Sequence, residues 1–142
     1  MKASLKSWPT LIMEIKFLDI VEVYEIHERM IKIGGGRPGV RDFTLIHSAV
    51  ERPKMSFAGK LLYPDIWLKA ASLIQSLIKN HPFEDGNKRT GFFSTLRFLN
   101  INGYDIKSNN KDVVNFVLQI DTKNLSLQQI SLWFKKHVKK VR

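Results

Sequence analysis

Between His81 and Thr90 the chain reads His-Pro-Phe-Glu-Asp-Gly-Asn-Lys-Arg-Thr, and most of these residue types are capable of chemistry. Histidine is the side chain whose ordinary titration falls nearest neutrality, so His81 is a candidate general base. Asp85 is suited to holding a hard cation such as Mg²⁺ through oxygen. Gly86 and Asn87 tolerate unusual backbone angles, which lets their amides turn toward an anion. A helix starting near Asn87 would aim its unpaired N–H groups and positive dipole end at the same spot. Lys88 and Arg89 add full charge there, Arg89 with a planar fork that matches phosphate oxygens. Base, cation ligand and anion cradle together suit phosphoryl or nucleotidyl transfer. Singly, each residue has a plainer use: a capping or surface histidine, an ordinary Asp-Gly turn, a solvated Lys-Arg pair. Phe83 is read as structural in either case, a buried ring anchoring the loop between polar neighbours.

Such a loop must be held at both ends. Upstream, Pro64 at a first helical position opens a helix whose Ile66, Trp67, Ala70, Leu73, Ile74, Leu77 and Ile78 form a broad apolar face, ending at Asn80. Downstream, residues 87–101 place Phe92, Phe93, Leu96, Phe98, Leu99 and Ile101 on so many faces that this helix is expected to be central and buried. Asn102-Gly103 is its stop.

Before this pair, Asp19 and Glu22 form a capping box for a helix with Ile20, Val23, Tyr24, His27, Met30 and Ile31 on one face. His27 is read as a packed or hydrogen-bonded residue, not a ligand. Gly34-Gly35-Gly36 ends the helix; no Gly-Lys-Ser/Thr follows, so a stop and a sharp turn account for it better than a phosphate loop. Asp42 caps a short helix with Leu45, Ile46, Ala49 and Val50 inward, stopped by Pro53. Lys54 to Tyr63 alternates loosely and fits a two-stranded hairpin or an irregular loop equally well. After the loop pair, residues 111–120 form a helix with Val113, Val114, Phe116, Val117 and Ile120 inward. Ser126 and Gln129 form a second capping box, opening a last helix with Leu127, Ile130, Trp133, Phe134 and Val138 packed. The reading is all-α: a bundle of about six helices with one candidate β-hairpin. Residues 1–12 read as an N-terminal extension and 13–142 as a single domain.

With 142 residues and 44% hydrophobic content, the chain can bury a core without staples. It has no cysteine, which excludes disulfides, thiolate metal sites and a cysteine nucleophile. No apolar run spans a membrane, and Pro9, Glu14 and Lys16 interrupt any signal-peptide core, so a cytoplasmic protein is expected. Twenty-three Lys and Arg against 13 Asp and Glu give a net charge of +10, which favours nucleotides, nucleic acid or an acidic protein. Lys135, Lys136, Lys139, Lys140 and Arg142 crowd the end. They are read as a solvated helix terminus complementing the dipole, and direct nucleic-acid binding is not expected.

The loop resembles the signature of the Fic/Doc superfamily, His-x-Phe-x-Asp/Glu-Gly-Asn-x-Arg, at His81, Phe83, Asp85, Gly86, Asn87 and Arg89. Two further stretches resemble the family: Ile15 to Leu18, and the Gly36-Arg37-Pro38-Gly39-Val40-Arg41-Asp42 segment, which resembles its Pro-Gly-hydrophobic-Arg-Asp loop. AMP-transferring members usually carry Gly where this chain has Lys88, and a second Arg where it has Phe92. Both departures resemble the Doc (death on curing) toxin branch. The resemblance implies a toxin of a toxin–antitoxin pair that moves the γ-phosphate of ATP, or another nucleoside triphosphate, to a hydroxyl of a protein target. A translation factor such as elongation factor Tu is the target it implies. On this reading His81 is the base and Asp85 binds Mg²⁺. Gly86, Asn87, Lys88 and Arg89 hold phosphates, Lys88 and Arg89 as catalytic cations. The hairpin would be a flap that pairs with the acceptor segment. AMP transfer by the same loop is the enzymatic alternative; a non-catalytic basic module on RNA or the ribosome is the other. No self-inhibiting Ser/Thr-x-x-x-Glu-Gly/Asn segment is present, since Thr10 to Glu14 is followed by Ile15. Inhibition is therefore expected from a separate chain, an acidic and partly disordered antitoxin.

Overall fold

Among the described residues, all but one of the α-helices open where a side chain takes over a backbone N–H that the helix itself leaves unpaired. The computed structural model describes residues 14–141; the expected extension over residues 1–12 lies outside them. Helix α1 (Ile20–Gly34) has the anticipated capping box: Glu22 N–H donates to Asp19 at 2.9 Å and Asp19 N–H to Glu22 at 3.3 Å. Asp42 caps α2 (Phe43–Glu51), and Pro53 then sits in a 3₁₀ turn, Arg52–Lys54. Strands β1 (Ser56–Phe57) and β2 (Lys60–Leu61) pair antiparallel, so the 54–63 segment is a hairpin. Helix α3 (Ile66–Lys79) starts two residues later than Pro64 implied. Asp65 is its cap, accepting from Leu68 N–H at 2.8 Å, and Pro64 precedes that cap. Helix α4 spans Asn87–Ile101 with Gly86 at its cap position.

Strand β3 (Tyr104–Ile106), helix α5 (Asn110–Thr122), helix α6 (Leu127–His137) and strand β4 (Val138–Lys140) complete the described chain. The capping box of Ser126 and Gln129 is present at α6. The basic tail departs from the expected helix end: it leaves α6 at Val138 and pairs antiparallel with β3, Asp105 opposite Lys139. Val138 contributes to this pairing while packing on the core, which draws the chain out of the helix. No helix among the described residues is long and apolar enough to cross a membrane.

The central helix is α3, not α4. Ten of the fourteen α3 residues are buried, and α4, α6, α2 and the 3₁₀ turn all pack on it. Helix α4 turns a stripe of small residues inward, Thr90, Gly91, Ser94 and Thr95, with Phe98 and Leu99 below. A β-carbon on Gly91 would lie 2.9 Å from Ile78 Cγ1, so the two helices touch where α4 has no side chain. Phe93 is left 41% exposed on the outer side. Apolar content misleads here because close approach needs small residues at i and i+3/i+4, not large ones. Val114 of α5, expected inward, is likewise 55% exposed, while Phe116, Val117 and Ile120 carry the packing.

The hairpin tips are exposed, but its base is tied to α3. Arg52 Nε donates to the Tyr63 hydroxyl at 2.9 Å, and its Nη1 donates to Gln75 and Ser76 of α3 at 2.9 and 3.0 Å. Lys69 is buried, and its ammonium donates to the Tyr63 carbonyl at 2.5 Å. Burial lowers the Lys69 pKa below the ordinary lysine value.

The close α3–α4 contact predicts opposite costs on the two sides of α4. Gly91→Val should lower unfolding free energy by roughly 2 kcal/mol or more through overpacking against Ile78. Phe93→Ser should cost less than about 1 kcal/mol, the range of a surface change. Urea titrations that ranked the two in reverse would restore α4 as the central helix.

Candidate active site

The loop from His81 to Gly86 has no regular structure, yet its backbone is held at nearly every residue. Arg41 of the 36–42 segment donates through Nε to the His81 carbonyl at 2.6 Å and through Nη2 to the Asn80 carbonyl at 2.7 Å. The amides of Arg41 and Asp42 both donate to the Pro82 carbonyl, and Glu84 N–H donates to the Gly39 carbonyl. Val40 and Phe83 form an isolated antiparallel bridge. His81 itself is exposed and takes a left-handed backbone, φ 49°. The following proline disfavours the right-handed helical region, and the Arg41 clamp holds the strained alternative.

Phe83 is 1% exposed and stacks on His27 of α1, ring centroids 3.8 Å apart and 6° from parallel. The His27 ring, 1% exposed, donates from Nε2 to the Asp85 carbonyl at 2.7 Å. Burial lowers the His27 pKa, so the neutral ring is favoured. Asn87 closes the loop from the other side. Its amide nitrogen donates to the Phe83 carbonyl and its amide oxygen accepts from Phe83 N–H, both at 3.0 Å. The Asn87 side chain is thus occupied in bracing, and its backbone N–H remains at the helix start.

Asp85 Oδ1 accepts from Gly86 N–H at 2.8 Å and Oδ2 from Arg37 N–H at 3.1 Å. These two amides, Arg37 first, hold its carboxyl below the usual carboxylate range, so it is ionised at neutral pH. Gly86 caps α4 in a left-handed conformation, φ 76°, with Ile31 and Arg89 close to where a β-carbon would stand. A β-carbon on Gly36, φ 117°, would lie 2.8 Å from Asp85 Oδ2. The glycine run that reads as a helix stop also lets the chain approach the site; Gly34 makes room for the Arg89 guanidinium.

Of the residues expected at the site, Asp85, Gly86 and the Asn87 backbone meet at the α4 N-terminus, and His81 stands exposed at the other end of the same loop. Of the two cations, Lys88 turns away toward α5, while the Arg89 guanidinium packs beside Gly86 and Asp85 and is tied to the end of α1. Lys88 Nζ lies 3.4 Å from the Asp121 carboxylate of α5. The Arg89 guanidinium donates to the carbonyls of Met30 at 3.0 Å and Gly35 at 2.8 Å, the C-terminal end of α1. Phe92 lines an apolar groove of about 230 Å³ with Phe93, Val113 and Val117. Sequence reading assigned no role to Arg37 and Arg41. Their signal was two arginines four apart astride Pro-Gly, in a segment that reads locally as a turn.

The buried neutral His27 makes stability depend on pH. Its folded pKa lies below the unfolded value of about 6.5. Its contribution is therefore complete above that value and is lost as pH falls through the folded pKa. Denaturant midpoints should drop as pH falls below about 6.5, and His27→Gln should flatten that part of the profile. An unchanged profile in His27→Gln would exclude His27 as the titrating group.

Comparison with known proteins adds an independent observation. The profile of the Fic/DOC family matches residues 17–99. Over 72 residues the chain is 47% identical to a protein named Toxin Doc from Mycolicibacterium smegmatis, covering 51% of this chain and 55% of that protein. Over 85 residues it is 29% identical to a protein named Protein kinase doc from Escherichia phage P1, covering 60% of this chain and 67% of that protein. The chain thus spans little more than half the length of the first relative. The family match runs from α1 across the hairpin, α3 and the loop into α4, the elements that build and brace the site: the chain belongs to the Fic/DOC family.

Proposed function

We propose that the chain is a Doc-type toxin kinase that transfers the γ-phosphate of a nucleoside triphosphate to a hydroxyl of a protein. The observation that carries this reading is one braced loop that exposes His81 and holds an ionised Asp85 directly before the first turn of α4, which has no side-chain cap. The names of the two relatives, a toxin and a protein kinase, support it. Asn87, Lys88 and Arg89 begin α4, so their N–H groups have no intrahelical acceptor and face an incoming phosphate. Lys88 is half exposed and its pairing with Asp121 is a surface contact, worth little and readily exchanged for phosphate.

The residues fit a bound Mg²⁺. Each Asp85 oxygen accepts one amide N–H and keeps further lone-pair capacity. No cluster of three or more His, Asp or Glu able to hold a metal alone exists among the described residues. One carboxylate completed by phosphate oxygens and water is a usual way for Mg²⁺ to be held with a nucleotide. When bound it would neutralise charge on the phosphates. His81 takes the proton from the acceptor hydroxyl as that oxygen bonds to the γ-phosphorus. The bond from the γ-phosphorus to the bridging oxygen breaks, and the nucleoside diphosphate leaves. Lys88 in place of the Gly, and Phe92 in place of the second Arg, of the AMP-transferring pattern support presentation of the γ- rather than the α-phosphate.

The hairpin presents exposed Phe57 and Leu61 on short strands, which suits pairing with an extended acceptor segment. A translation factor such as elongation factor Tu is the proposed target, an acidic antitoxin the proposed inhibitor and the cytoplasm the proposed site of action. The net charge of +10 supports an acidic partner.

Incubation with cell lysate and ATP labelled on the α- or γ-phosphate separates the readings. Label from γ alone should reach protein; label from α would make the chain a nucleotidyl transferase, and neither label would leave a binding module. His81→Ala should lower turnover by roughly 10²–10⁴-fold while leaving nucleotide affinity unchanged. Near-full turnover in a folded His81→Ala chain would remove the base assignment. Asp85→Asn should weaken Mg²⁺-dependent nucleotide binding in calorimetric titrations far more than Glu84→Gln, and equal effects would move the metal ligand elsewhere.

A further inference from the structure

The phosphate-binding charge that the motif supplies is partly committed elsewhere. Arg89 holds two carbonyls at the end of α1, Lys88 pairs with α5, and the next turn of α4 offers Phe92. Beside Arg89, a further and more exposed cation stands against the loop. Arg37 donates its backbone N–H to Asp85 Oδ2 at 3.1 Å, which fixes its α-carbon beside the ionised carboxylate. Its guanidinium donates to the Glu84 carbonyl at 3.0 Å and lies 4.0 Å from the Glu84 carboxylate. The side chain is 74% exposed. Glycines at 34, 35, 36 and 39 and a proline at 38 surround it, so no neighbouring long side chain from this segment screens it before Arg41.

We propose that Arg37 is a further substrate-binding residue, a guanidinium that moves from the Glu84 carbonyl onto the phosphate oxygens of the nucleotide at Asp85. This rests on the phosphotransfer reading and deepens it. The exchange is favourable because a neutral carbonyl acceptor is replaced by a charged one that can take both prongs of the fork. The Glu84 contact holds the side chain near its target without burying it. Arg37 then supplies from a separate segment the charge that Phe92 does not offer on α4. The backbone bond to Asp85 makes the coupling geometric: the amide orients the carboxylate while the side chain of the same residue binds the phosphates.

The test is calorimetric binding of ATP, inorganic tripolyphosphate and adenosine, each with Mg²⁺, to the unmodified chain, Arg37→Gln and Arg37→Lys. Arg37→Gln keeps the backbone N–H, and thermal unfolding should be unchanged because the side chain is exposed. Affinity for ATP and for tripolyphosphate should fall roughly tenfold or more, as expected for loss of a charge-assisted contact. Adenosine binding should not change, and Arg37→Lys should be intermediate, since it keeps the charge but not the fork. Equal affinity of Arg37→Gln and the unmodified chain for tripolyphosphate would overturn this inference alone. Equal weakening toward all three ligands would also overturn it, by marking a general disturbance of the loop. Failure of the unmodified chain to bind either triphosphate would overturn the phosphotransfer reading and this inference with it.

Discussion

The stack of Phe83 on His27 is the contact on which the site geometry depends. A seven-residue connection between two helices has no ladder of its own, so its backbone polar groups need partners from elsewhere. Burying Phe83 draws the loop onto α1, and the His27 ring beneath it uses Nε2 to hold the Asp85 carbonyl. One side chain thereby sets the depth of the loop and the direction of the proposed metal ligand. Asn87 repeats the arrangement from α4, holding both polar groups of the Phe83 backbone. His81 and the Asp85 carboxylate are left as the accessible chemistry because the groups between them are engaged.

Arginine has three distinct uses around this loop. Arg41 is a clamp on the Asn80 and His81 carbonyls just past α3, Arg89 a tie between α4 and the end of α1, and Arg37 a surface fork beside Asp85. The first two hold carbonyls in or just past the last turn of a helix, where partial negative charge gathers. A fixed, planar, permanently charged group is well suited to that bracing. The glycines of the 34–36 run let these long side chains and the Asp85 carboxylate approach the backbone closely.

Helix α3 joins the two halves of the proposed reaction. Its C-terminal end leads directly into His81, and its Lys69, Gln75 and Ser76 hold the base of the hairpin through Tyr63 and Arg52. The proposed acceptor-binding and proton-accepting elements therefore share one buried support. Lys69 is a costly residue to bury, and its ammonium is directed to a single carbonyl at the hairpin exit.

Much of this was legible along the chain because it is local. Caps at Asp19, Asp42 and Ser126 depend on neighbours two or three residues away, and the 81–90 motif places its histidine, aspartate and glycine within one loop whatever surrounds it. The hairpin was visible only as one of two equal alternatives, since two-residue strands barely register as a pattern. His27 read as a packed or hydrogen-bonded residue, but its partners, the bracing by Arg37 and Arg41, the identity of the central helix and the strand at the basic tail were not visible. Those features rest on partners tens of residues apart: α3 against the small-residue stripe of α4, β4 against β3, α1 and the 36–42 segment against the loop. Periodicity records how much apolar surface a helix carries and on which side, but not which neighbour comes close enough to need a glycine. Sequence alone determined the chemistry available in the loop and the helices that carry it. The tertiary structure decided which cations hold the fold and which stand exposed beside Asp85, because a charge becomes a brace only when folding brings a distant carbonyl within reach.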